Sequence, residues 1–167
     1  MRLLPSCLVL TISLIAGAAV SQQTSIPFGS EQHDATQQVE ITSDVFRISQ
    51  KDRSVVFSGN VLIGQGELQI AAGEVLVIYV DSEDENNGQI EKLTATGGVT
   101  LVAGAEAAEA DAAVYTIDTG NIVMTGNVLL TQGNNAVSGQ ILTINLGTGF
   151  AQIEGRVKTI FNTGSSD

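Results

Sequence analysis

The chain has 167 residues and a formal net charge of −11, from 18 Asp and Glu against 7 Lys and Arg. That balance argues against nucleic acid as a partner, because neutralising phosphates needs clustered Lys and Arg, and against docking on an anionic membrane surface. One Cys and one His leave no disulfide framework and no zinc ligand set.

The chain opens with basic Met1-Arg2, an apolar run from Leu3 to Ala16, and the small-residue cleavage sites Ala16-Gly17-Ala18 and Ala19-Val20-Ser21. Residues 1–21 therefore read as a secretory signal peptide. The run is shorter than the ~20 residues a membrane-crossing helix needs, and the lone Cys7 lies inside it. Residues 22–38 are polar, with Pro27, Gly29 and Ser30 and no sustained period, and are expected to form a flexible leader. Its His33 is expected to be solvated rather than a ligand or base.

From Val39 onward the pattern is all-β: apolar and polar residues alternate between Gly, Asn and Asp turns. Ser58-Gly59-Asn60-Val61-Leu62-Ile63 returns as Thr96-Gly97-Gly98-Val99-Thr100-Leu101 and as Thr125-Gly126-Asn127-Val128-Leu129-Leu130. A fainter copy is Glu154-Gly155-Arg156-Val157, so the glycines lie 38, 29 and 29 residues apart. A period in this range marks a repeated β unit.

Within each unit one parity is apolar. Val55, Phe57, Gly59, Val61 and Ile63 match Leu93, Ala95, Gly97, Val99 and Leu101, and then Ile122, Met124, Gly126, Val128 and Leu130. The second halves behave alike, with Leu68, Ile70, Val75, Val77 and Tyr79 in the first unit and Val137, Leu142, Ile144 and Leu146 in the last. Val39, Ile41, Phe46 and Ile48 supply an opening half unit. Alternate side chains leave opposite faces of a strand, so these positions form one apolar face. The parity slips by one at Ser43-Asp44, Gly73, Asp111 and Gln140, which predicts a bulge or corner in every copy.

Turns are expected at 51–54, 118–121 and 147–149. The acidic run 81–88 is expected to be a solvated loop tip, since its spacing does not follow a calcium-binding loop. Residues 161–167 form a polar tail, which leaves 39–160 as the folded domain. No nucleophile elbow, phosphate loop, dinucleotide fingerprint or metal spacing is present, so neither an enzyme nor a cofactor is expected.

Gln38-Val39-Glu40-Ile41-Thr42-Ser43-Asp44, then Val56-Phe57-Ser58-Gly59-Asn60-Val61 with Gln65-Gly66, and Thr125-Gly126-Asn127-Val128-Leu129-Leu130-Thr131-Gln132-Gly133 together resemble the OstA-like family of periplasmic lipopolysaccharide-transport proteins. The resemblance covers roughly 39–160, and this chain departs from it at Gly98, which stands where the motif has Asn. It implies an open antiparallel β-jellyroll whose interior holds acyl chains, located in the periplasm. It also implies head-to-tail homo-oligomers and edge-strand pairing with like-folded inner-membrane and outer-membrane transport subunits. On this implication Val39, Ile41 and Leu101 contact lipid. The same apolar parity adds Phe46, Ile48, Phe57, Val61, Ile63, Val77, Val99, Met124, Val128, Leu130 and Ile144 as interior lipid-contact candidates.

The first and last strands would expose unpaired backbone groups. Val39, Glu40 and Ile41 at one end and Val157, Lys158 and Thr159 at the other are the expected self-assembly edges. Two alternatives stay open: a membrane-anchored subunit of the same bridge, if the signal is retained, and a structural β-solenoid with a filled core and no lipid.

Overall fold

A computed structural model of the chain describes residues 26–28, 34, 36–52, 54–80 and 89–161. The expectations for the signal segment, for His33, for the acidic run 81–88 and for residues 162–167 fall outside the described residues. Among the described residues every regular element is a strand: β1 (Ile26–Pro27), β2 (Glu40–Thr42), β3 (Val45–Ser49), β4 (Ser54–Gln65), β5 (Leu68–Tyr79), β6 (Ile90–Ala103), β7 (Glu106–Thr116), β8 (Asn121–Gln132), β9 (Asn135–Asn145), β10 (Phe150–Glu154) and β11 (Lys158–Ile160). The β-branched residues and the period-2 alternation noted in the sequence favour this state, because side chains on alternate positions can then bury one face and solvate the other.

The strands form one antiparallel sheet in the order β1-β10-β9-β8-β7-β6-β5-β4-β2, with β3 also on β4 and β11 also on β9. The turns β4–β5, β6–β7, β7–β8, β8–β9 and β9–β10 each carry a glycine of positive φ, among them Gly66 and Gly133 at 61° and 57°. Each long pairing is broken at the same level, at Ser58/Val61, Ala71/Glu74, Thr96/Val99, Glu109/Ala112 and Thr125/Val128, and β5 and β6 slip a second time at Ile78/Tyr79. These breaks coincide with the parity slips in the sequence at Gly73 and Asp111, so the repeated bulge divides every long strand into two halves. A bulge bends its strand and sharpens the local twist, and repeating it in register bends the whole sheet along one line.

The halves make two layers. One contains β2, residues 61–65, 68–72, 99–103, 106–110, 128–132 and 135–139, and β11. The other contains β3, residues 54–58, 74–79, 90–96, 112–116, 121–125 and 141–145, then β10 and β1. The core cluster draws on both, from Val61, Ile70 and Leu101 in the first to Val77, Ile122 and Ile144 in the second. The fold class is thus an open antiparallel β-jellyroll built from repeated strand units.

The leader departs from expectation. Ile26 and Pro27 pair with Ala151 and Phe150 of β10, the Phe28 amide donates to Gly149 O over 2.8 Å, and Phe28 is 2% exposed within the core. The reason is an uncovered apolar edge at β10: burying a phenylalanine there removes about 150–250 Å² from water, enough to hold a short polar segment in place. The terminal strand pairs only over Lys158–Ile160, so Val157, expected at the assembly edge, lies just outside it.

Candidate apolar interior and its edges

Because directly opposed residues share a face, the pairing registers trace continuous apolar rows through each layer. In the first layer Ile41, Ile63, Ile70, Leu101, Ala108, Leu130 and Val137 are successive partners from β2 to β9. In the second layer Ile48, Val55, Val77, Leu93, Tyr115, Ile122, Ile144 and Ala151 follow one another from β3 to β10. A parallel row begins at Phe46 and Phe57, whose ring centroids lie 5.2 Å apart.

The fourteen residues expected on the interior divide by position. Val61, Ile63, Val77, Val99, Leu101, Met124, Val128, Leu130 and Ile144 are buried in one core cluster, and Val39, Ile41 and Phe57 pack against it half-buried. Phe46 and Ile48 are not enclosed: they are 55% and 63% exposed. They stand on the interior parity opposite Phe57 and Val55, but among the described residues β3 pairs only with β4, so no further described strand covers them. The interior is therefore uncovered at the β3 end, whereas Phe28 sits over the β10 end.

The expected assembly edges are edges of the sheet. Among the described residues β2 pairs only with β4, and β11 only with β9, at opposite ends of the same layer. Glu40, Val157, Lys158 and Thr159 are exposed and Ile41 is half-buried. Val39 and Val157 lie one residue outside the paired segments. Ile160 and Phe161 add exposed apolar surface at the β11 end, as Val45 does at the start of β3. Pro27 lies in β1, the outermost strand of the second layer, where it removes one backbone donor.

Polar residues inside were not anticipated. Tyr115 Oη donates to Gln65 Oε1 over 2.8 Å. Gln65 on β4 and Tyr115 on β7 are three strands apart in the sheet, so this buried bond crosses between the layers. Gln65 Nε2 donates in turn to Gln37 O at 3.0 Å, tying residue 37 to the first layer. Burial pushes the Tyr115 phenol up to about 12, since the anion would lose its water. Glu106 is also buried, and its Oε1 accepts from Gln132 Nε2 at 3.1 Å. The repeat carried a signal for this row: Gln65-Gly66 and Gln132-Gly133 occupy equivalent places, and Glu106 follows Ala103-Gly104 in the middle unit. Among the described residues no group of three or more His, Cys, Asp or Glu is placed to hold a metal ion.

A two-layer apolar interior bounded by free sheet edges defines a class of β-jellyroll with a one-sided lining. Residues 40–150 match the family model described as LptA/(LptD N-terminal domain) LPS transport protein. The chain belongs to that lipopolysaccharide-transport family. It is 32% identical over 153 residues to an uncharacterised protein of Rhizobium meliloti (strain 1021), covering 87% of this chain and 82% of that one. Its fold is that of LptH, the LptA-homologous periplasmic component of the lipopolysaccharide transport device of Pseudomonas aeruginosa. The TM-score is 0.67 at 15% identity, over 78% of this chain and 99% of LptH.

Proposed function

We propose that this chain is a non-enzymatic periplasmic carrier that binds lipopolysaccharide by its acyl chains and forms one link of the bridge between the inner and outer membranes. The observation that carries the reading is the course of the apolar rows. They run unbroken across the second layer and emerge at β3 as exposed, interior-facing Phe46 and Ile48. Apolar surface held open on the inner face of a sheet is where a hydrocarbon chain gains most by leaving water, at about 25 cal/mol per Å².

Assembly follows from the same end. β2 and β3 present free backbone groups at one end and β11 at the other, so strand addition can join like-folded units head to tail. The partners are further copies of this chain and like-folded inner-membrane and outer-membrane subunits. Membership of the transport family supports both parts of the reading.

Photo-crosslinkers at Val39, Ile41, Val61 and Leu101 are expected to capture lipopolysaccharide in cells. Capture from outward-facing Leu62 or Glu40 alone sinks the proposal. One observation favours a second reading, a scaffold with a filled interior: Leu101, Ile122, Met124 and Ile144 have no exposed surface. A lipid extract of the purified protein that is empty supports that reading.

A further inference from the structure

One row of the interior face mixes polar residues with apolar ones, and among the described residues one buried side-chain oxygen in it has no hydrogen-bond partner. Gln65, Leu68, Ala103, Glu106, Gln132 and Asn135 are successive partners across β4 to β9, at the end of the first layer farthest from the bend. Glu106 is 8% exposed. Its Oε1 takes the Gln132 amide, while its Oε2 is buried and has no hydrogen bond among the described residues. A buried acceptor left unpaired lowers stability unless a partner is supplied.

The repeat shows that the fold does not require this carboxyl. Glu106 occupies the place of Leu68 in the first unit and of Asn135 in the third. The side of Glu106 facing β6 is short of a donor for a specific reason: where the first and third units carry Gln65 and Gln132, the middle unit carries Ala103.

The strand that starts at Glu106 is also cut back. Ala108 stands where the other units have Ile70 and Val137, and Ala113 where they have Val75 and Leu142. Both alanines are buried on the interior face of β7. So a line of shortened side chains leads through the apolar interior to one unsatisfied acceptor.

We propose that Glu106 is a polar subsite for the carried lipid: its Oε2 accepts a hydrogen bond from an amide N–H or hydroxyl at the junction of acyl chain and head group. The chain then lies along β7 over Ala108 and Ala113. This inference rests on the carrier reading and adds to it a preference for lipids with a donor at that junction. Acting as an acceptor, Oε2 gains nothing from an acyl ester that lacks a donor.

The test compares two probes with one acyl chain, an N-acyl amino sugar and the corresponding fatty-acid methyl ester, each titrated into the purified protein. Glu106→Leu is expected to weaken binding of the N-acyl sugar about tenfold through loss of one hydrogen bond to a buried acceptor. Binding of the methyl ester should stay within about twofold on the same reasoning. Glu106→Gln, which keeps a carbonyl acceptor, should restore most of the difference. Ala108→Leu, which lengthens the side chain beside Glu106 on the same face, should weaken both probes. Equal effects of Glu106→Leu on the two probes, or none on either, overturn the subsite while leaving the carrier reading intact. Wild-type protein that binds neither probe nor lipopolysaccharide overturns both.

Discussion

Asn127 donates its Nδ2 to Asp111 Oδ2 over 2.9 Å, and Asn60 makes the same bond to Asp44 at 2.7 Å, each across sixteen residues. Both asparagines have positive φ, 47° and 46°, and each follows a glycine near 80°. These pairs clamp the line along which the sheet bends. The same line passes through Gly73 and Gly97, where backbone meets backbone, and ends at Gln140 against Gly155. Asn tolerates the left-handed region better than most residues because its short amide bonds locally.

A side chain at Gly126 would collide with the Asp111 carboxyl, and its φ of 79° already disfavours one. Gly126→Ala is therefore expected to destabilise the protein by about 1–3 kcal/mol. Gly64→Ala, with ordinary φ and open space around it, should change stability by less than about 0.5 kcal/mol. Urea unfolding of both variants checks the contrast.

The Tyr115 phenol is raised from 10.0 to about 12. The folded state thus holds this proton more tightly than the unfolded chain. Its contribution to stability is whole below pH 10.0 and declines as pH climbs towards 12. Unfolding free energies between pH 8 and pH 12 should fall steeply in that upper window, and the slope should lessen in Tyr115→Phe. At neutral pH the same substitution removes the bond to Gln65 and should cost about 1 kcal/mol.

Phe28 fills the β10 end of the interior at 2% exposure. Phe28→Ala is expected to cost about 3 kcal/mol, the lower end for a buried phenylalanine. It should also raise amide exchange in β10 before β4 or β5, because only β10 loses its covering strand. A cost below about 0.5 kcal/mol would show that the segment lies on the surface without supporting it.

Ile48 is 63% exposed on the uncovered strand β3, so Ile48→Lys removes little core packing. Stability should change by less than about 0.5 kcal/mol, while head-to-tail association, measured by sedimentation velocity, should weaken at least tenfold. A charge placed on the interior parity of the open edge must be desolvated when a second unit covers it. Unchanged association would remove β3 from the interface.

The chain by itself determined the strand parity, the apolar face and the bend. Each depends on residues close in sequence: alternation along Val55 to Ile63, glycine beside asparagine at 59–60 and 126–127, and the slips at Gly73 and Asp111. Local backbone geometry converts those patterns into a folded sheet without further information. Only the tertiary structure decided which ends of the interior are covered. That depended on contacts between distant residues, Phe28 with Gly149 and Gln65 with Tyr115. It also set Phe46 and Ile48 apart from Val61 and Leu101, which share their parity but have strands on both sides. Period and parity assign a side chain to a face. Whether that face is covered depends on what packs across it, and for Glu106 the packing left one carboxyl oxygen without a partner.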